Sequence, residues 1–206
     1  MKRIIKISLI LLLLGMAVIA AVPFLKEKRA EKKYENDFKN IQESVIEKKS
    51  DVNGLVKKNK DCIGYVEIPG TTISYPVMQT NKNPDFYLNH DFNRNYSFYG
   101  TPYLSAYCDV NKSDNLIIYG HNINGGKMFG ALEQYKDKEF FNKHRKIYFT
   151  TDKKREYEVF AVMSVNIHEF EYWKFVMARD AKEYDEFVDK VEEHSLWRQR
   201  NKPKYG

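Results

Sequence analysis

Four apolar residues, Leu116, Ile117, Ile118 and Tyr119, stand between Asp114-Asn115 and Gly120. The run is too short for a helix and too apolar for a surface loop, so it reads as a buried strand that the rest of the chain must cover. His121 follows Gly120 directly, and Asn124-Gly125-Gly126 supplies a turn that accepts positive φ. A helical pattern is predicted over residues 128–141, with Met128, Leu132, Tyr135 and Phe140 roughly on one face. A histidine at a strand end beside a glycine-rich turn suits an acid/base group, because the strand fixes the ring and the loop leaves room for a substrate. From spacing alone a packed histidine that caps the strand is the simpler reading.

The surrounding pattern is one of short strands. Residues 63–68 and 72–77 flank Pro69-Gly70, which predicts a hairpin. Residues 81–98, rich in Asn, Asp and aromatics, read as an ordered loop region. Residues 103–109 and 116–119 are predicted to pair as a hairpin, with residue 110 opposite 115. Residues 146–150 and 156–165 read as strands on either side of Asp152-Lys153, and 181–194 as a helix with Tyr184, Phe187, Val188 and Val191 inward. The fold class is mainly β (α+β), a barrel or sandwich with helices as insertions.

The first 25 residues stand apart. Lys2, Arg3 and Lys6 precede residues 7–25, which carry no charge, and about 20 apolar residues cross a bilayer as a helix. Residues 1–25 therefore read as a transmembrane anchor. Ala17-Val18-Ile19-Ala20 offers the rival of a cleaved signal peptide, although the apolar run is long for one. Lys26, Lys28, Arg29, Lys32 and Lys33 make the far flank as basic as the start, so loop charge leaves the sidedness open. Residues 26–58 read as a helical stalk whose Tyr34, Phe38, Ile41 and Val45 share a face, with a break expected at Gly54. A domain over residues 59–206 follows.

Charge removes one class of partner. Residues 1–60 hold 14 Lys and Arg against 7 Asp and Glu, and the whole chain is +6, so residues 61–206 sum to −1. The basic balance lies in the anchor and stalk, where it suits anionic lipid, and gives no footprint for nucleic acid.

Two cysteines are present. Under the expected hairpin, Cys108 faces Ile117 and Leu104 faces His121, which leaves Cys108 about 13 Å along the strand from the histidine. A nucleophile and its base must lie within about 3 Å. Cys62 adjoins Asp61, whose charge raises a thiol pKa. Both cysteines read as small core residues, and whether they join in a disulfide stays open. His90, His121, His144, His168 and His194 show no metal-ligand spacing, so no metal or other cofactor is expected.

Tyr119-Gly-His-Asn122 followed by Met128-Phe129 resembles the histidine motif of the sortases, cysteine transpeptidases that attach surface proteins to the Gram-positive cell wall. Asp85-Phe-Tyr-Leu-Asn-His-Asp-Phe92, Gly100-Thr-Pro-Tyr-Leu104 and a long insert before the last helix are similar to class B sortases in particular, over roughly residues 55–206. The resemblance implies a sortase-like β-barrel on a single-pass membrane protein, with its N-terminus cytoplasmic and its domain outside. It implies a cysteine that attacks the carbonyl after threonine in a sorting pentapeptide. An amine of peptidoglycan or of its lipid-linked precursor then resolves the acyl-enzyme. His121 matches the acid/base of that family, and no carboxylate need orient it. Leu88 matches a position lining the peptide groove, and Tyr172 and Trp173 match an aromatic-apolar pair that covers it. Ser105 is placed next to His121 by the hairpin register. The family's Thr-Leu-x-Thr-Cys strand and its arginine are not among these 206 residues. They are expected on strands after Gly206, where residues 202–206 resemble their lead-in. The alternative is an inactive product or peptide-binding module of the same fold; a third reading is an unrelated structural protein of the cell envelope.

Overall fold

The computed structural model describes residues 15, 16, 19–33, 35, 36, 39 and 52–206. The chain divides into two compact units, residues 1–43 and 44–206. In the first, residues 19–33 are helical and largely exposed. Most of the expected anchor, residues 1–14, 17 and 18, lies outside the described residues, as do Tyr34, Phe38, Ile41 and Val45. Among the described residues no helix is long and apolar enough to cross a membrane.

The second unit opens with helix α1, Val52–Lys58, which buries Val52 and Leu55 and ends on Lys57 and Lys58, where the helix dipole favours cations. Gly54 lies inside this helix and does not break it. The roughly 1 kcal/mol that glycine costs a helix is outweighed by burying the two apolar side chains around it. Strands β1, Cys62–Glu67, and β2, Ser74–Met78, form the expected antiparallel hairpin. Strand β3, Tyr103–Leu104, runs parallel to β2, and β4, Ile118–Tyr119, runs antiparallel to β3. Strands β7, Lys146–Thr150, and β8, Lys154–Glu158, extend the sheet on the other side of β1. The order β4-β3-β2-β1-β7-β8 leaves β4 and β8 as edges, so the sheet curls as a half-barrel and does not close. Val77, Met78 and Leu104 have no exposed surface at its centre.

Three expected elements are rearranged. The strand predicted over 103–109 stops at Leu104, because residues 105–108 turn back, with Cys108 N–H donating to the Ser105 carbonyl at 3.0 Å. The Gln79 side chain secures that turn by donating to the carbonyls of Ser105, at 2.9 Å, and Cys108, at 2.8 Å. The turn shifts the register, so that Leu104 faces Ile118 rather than His121. The helix predicted over 128–141 splits into a 3₁₀ helix, Phe129–Lys136, and α2, Lys138–Lys143. Asp137 causes the split: it is extended and caps α2 by accepting from Phe140 N–H at 2.7 Å. Strands β5, Asn122–Ile123, and β6, Lys127–Met128, form a small hairpin across the glycine turn, with Gly125 at φ +78°. The strand predicted over 156–165 divides between β8 and β9, Ala161–Met163, which pairs with β10, Ser195–Arg198, in a separate two-stranded sheet. Helix α3, Ala181–Glu193, matches its expected span, with Asp180 accepting from Glu183 N–H and the Glu183 carboxylate accepting from Arg179 N–H.

Candidate functional site

His121 leaves the end of β4 after Gly120, and the main chain there is held tightly. Phe129 N–H donates to the His121 carbonyl at 2.9 Å. The Phe129 ring lies so close to Gly120 that a Cβ at that position would sit 2.6 Å from it. The imidazole Nε2 is 2.7 Å from the Leu88 carbonyl oxygen. A carbonyl can only accept, so Nε2 carries the proton. Nδ1 has no hydrogen bond among the described residues. The Phe98 ring lies parallel to the imidazole, within 4°, at 6.4 Å between centroids. Phe98 is 70% exposed and Leu88 42%, so the histidine opens to solvent on an apolar rim.

The loop that offers Leu88 is stapled to the start of the sheet. In the 3₁₀ turn Phe86–Leu88, Tyr87 is buried; its hydroxyl donates to Asp61 Oδ2 at 2.8 Å and accepts from Asn59 Nδ2 at 2.8 Å. Arg94 pairs with the same Asp61 carboxylate, and Asn59 Nδ2 also donates to the Phe92 carbonyl at 2.7 Å. Burial first, and the neighbouring Asp61 after it, push the Tyr87 phenol well above its ordinary value.

The other expected residues distribute unevenly. Ser105 is not beside His121: its N–H donates to the Ile117 carbonyl at 2.8 Å, four residues short of the histidine, and the serine is buried. Its hydroxyl bonds that of Tyr119, whose phenol is raised by burial first and by nearby Tyr172 next. Tyr172, in the 3₁₀ turn Tyr172–Lys174, lines a cleft of about 480 Å³ with Tyr119, Gly120 and Phe129. A second, more apolar cleft of about 310 Å³ shares the walls Ile68, Ile118, Phe129, Leu132 and Ile147. Trp173 does not line either; it is half-exposed under the Lys174 ammonium, 5.2 Å from its ring centre. The insert bearing both aromatics is tied to the approach to β4. Asn115 N–H donates to the Val176 carbonyl at 3.0 Å, Asn115 Nδ2 to that of Phe175 at 2.7 Å, and Ala178 N–H to Asp114 Oδ2 at 2.8 Å.

Both thiols are free and buried, and neither contacts His121. Burial pushes the Cys62 thiol up to about 12, with a backbone hydrogen bond from Gly64 the only counterweight. The cause is not the Asp61 charge, which is occupied by Tyr87 and Arg94. Cys108 does lie against Ile117, whose N–H points to its sulfur at 3.4 Å, while the thiol donates to the Asn115 carbonyl at 3.3 Å. Among the described residues no three His, Cys, Asp or Glu side chains gather as a metal site. Tyr119 and Phe129, parts of the histidine motif in sequence, also wall the hollow beside it. Phe98, one aromatic among several in the 81–98 loop, has no sequence signal that places it against the imidazole.

A curled sheet with a histidine leaving its edge strand beside an apolar hollow defines a family, and a model described as "Sortase domain" matches residues 66–192. The chain belongs to the sortase family, one of cysteine transpeptidases. It is of the class B type. It is 28% identical over 205 residues to Sortase B of Staphylococcus aureus, covering 95% of this chain and 83% of that one. It is 30% identical over 154 residues to Sortase B of Listeria monocytogenes, covering 73% and 61%. The structure of a Staphylococcus aureus sortase B-substrate complex superposes with a TM-score of 0.76 at 26% identity, over 87% of this chain and 85% of that one. That of Clostridium perfringens sortase B gives 0.68 at 29% identity, over 72% and 81%.

Proposed function

We propose that this chain provides the histidine half of a class B transpeptidase site that cleaves a sorting pentapeptide after threonine and joins the surface protein to a peptidoglycan amine. The observation that carries the reading is the half-exposed His121 ring, pinned through Nε2 at the open end of β4 with no hydrogen bond to its other nitrogen among the described residues. In this reading a thiolate attacks the threonine carbonyl and His121 protonates the leaving amine. The amine of peptidoglycan or of its lipid-linked precursor later loses a proton to the same ring as it displaces the sulfur. Leu88 and Tyr172 line the peptide's path, with Trp173 an outer contact and Ser105 acting only through Tyr119. Recognition of a sorting peptide is supported by the class B relative whose structure is a substrate complex. Residues 1–25 serve as the anchor, N-terminus inside, supported by the uncharged run 7–25. Protease added to intact cells is then expected to cut the domain, and protection until lysis would reverse the orientation.

Neither Cys62 nor Cys108 suits the thiolate, both being buried away from His121. In this reading the thiolate and its arginine stand on strands laid along the free edge of β4. That same burial favours the second reading, a peptide-binding module without catalysis. A chimera separates the two: the C-terminal strands of Staphylococcus aureus sortase B joined after Gly206. Peptide transfer is expected from the chimera and not from the chain alone, and His121→Ala should lower it by about 10²–10⁴-fold. Turnover by the chain alone that disappears with Cys108→Ala would refute the assignment of the nucleophile. A chimera that binds the peptide without turning it over would establish the second reading.

A further inference from the structure

Four consecutive carbonyls, those of residues 87–90, emerge from the turn beside His121. The segment 97–101 takes three of them. Thr101 N–H donates to the Tyr87 carbonyl at 2.9 Å, Ser97 N–H to that of Asn89 at 2.9 Å, and Thr101 Oγ1 to that of His90 at 3.0 Å. The remaining one, Leu88 O, accepts from His121 Nε2. The two segments approach this closely because residue 100 is glycine at φ +59°. A Cβ there would lie 2.4 Å from Leu88 O and 2.6 Å from Tyr87 O. Both the backbone conformation and the space exclude a side chain.

We propose that the Leu88 carbonyl, set in place by Gly100, fixes His121 in its Nε2–H form, so that Nδ1 is the nitrogen that moves protons. Gly100 is thereby a positioning residue. The inference rests on the acid/base reading of His121. In the imidazolium both nitrogens carry hydrogen. Nδ1–H passes to the leaving amine as its C–N bond breaks, and the neutral ring keeps Nε2–H on Leu88 O. The Nδ1 lone pair is then free to take the proton of the incoming amine as the acyl–sulfur bond breaks, which returns the ring to imidazolium. A neutral ring whose proton had moved to Nδ1 would present no lone pair to that amine. A main-chain carbonyl suits this duty because, unlike a carboxylate, it is too weak a base to take the proton itself.

The test is magic-angle-spinning ¹⁵N NMR of the full chain labelled at histidine, recorded with the ring neutral and assigned by loss of the signal in His121→Gln. The expected spectrum has a protonated-type Nε2 and an unprotonated-type Nδ1 for His121. Gly100→Ala should produce a mixture of the two forms, while Gly125→Ala should leave the spectrum unchanged. Gly125 shares the positive φ, and a Cβ there meets nothing within 4 Å. An Nδ1–H ring in the unaltered chain, or a folded Gly100→Ala chain with an unchanged spectrum, would overturn the proposal. Should Gly100→Ala not fold, Thr101→Val removes only the hydroxyl bond to the His90 carbonyl; a smaller shift in the same direction is expected, and none would count against the clamp. If the Nε2–H form is found while the His121→Ala chimera keeps full transfer, the acid/base reading fails and the tautomer assignment stands. The opposite pair of results removes the inference alone.

Discussion

Between pH 9 and 12 the domain is expected to unfold in one cooperative step, with its buried phenols ionising together. Burial pushes Tyr65 and Tyr135 up to about 12 and raises Tyr75, Tyr87 and Tyr103 as well, while the Cys62 thiol rises to about 12. A group that holds its proton more tightly when folded leaves the unfolded chain with fewer bound protons once pH exceeds the unfolded pKa, near 8.5 for a thiol and 10 for a phenol. Its contribution is therefore complete below that value and is lost as pH rises towards the folded one. Each such group contributes a slope of about 1.4 kcal/mol per pH unit. Tyr65, Tyr87, Tyr103, Tyr135 and the thiol, the groups raised furthest, together remove on the order of 7 kcal/mol within one unit, which is comparable with a whole domain stability of about 5–15 kcal/mol. The fold should fail before any of these four phenols reaches its own folded pKa. Tyrosinate absorbance and far-ultraviolet circular dichroism are expected to change together between about pH 10 and 11.5. Absorbance that climbs steadily while the dichroism stays native up to pH 12 would contradict this.

The second large effect is self-association. Strand β4 is an edge, and its Ile118 and Tyr119 are only half-buried although they belong to the sheet. Two adjoining clefts walled by Ile68, Ile118, Phe129, Leu132 and Ile147 open beside it. Unpaired backbone groups next to an apolar hollow invite another strand. Covering about 400 Å² of apolar surface is worth roughly 10 kcal/mol before association costs, enough to hold two chains together. Sedimentation at tens of micromolar should show oligomers. Ile118→Lys, which sets a charge on that edge, should shift the chain to monomer, and so should the added strands of the chimera. A chain that is monomeric at all concentrations to about 100 µM would show that the edge is already guarded.

Elements whose pattern is local were legible in the sequence. The 63–77 hairpin, β7 and α3 lie within about two residues of their expected spans, because alternation, a Pro-Gly turn and a capping box are all written within a few positions. The place of His121 at a strand end was legible for the same reason. What escaped depends on partners far along the chain. The 105–108 turn is made by Gln79, and the register that put Ser105 beside His121 failed with it. Leu88 matches a groove position by resemblance, but its carbonyl lies 33 residues from the ring it meets, and no periodicity announces that bond. Propensity alone makes Gly54 a helix break, and burial of Val52 and Leu55 overrides it. Tyr172 and Trp173 are adjacent in sequence, yet the 3₁₀ turn sends only the first to the hollow.

That the ring's acceptor is a main-chain atom changes what conventional mutagenesis can see. Replacing Leu88 by any amino acid leaves a carbonyl at the same position, so an alanine scan would score residue 88 for its side chain alone and report the histidine as having no partner. The bond becomes visible only to changes that act on the backbone, such as an ester in place of the 88–89 amide, which weakens that oxygen as an acceptor, or a Cβ at Gly100, which displaces it.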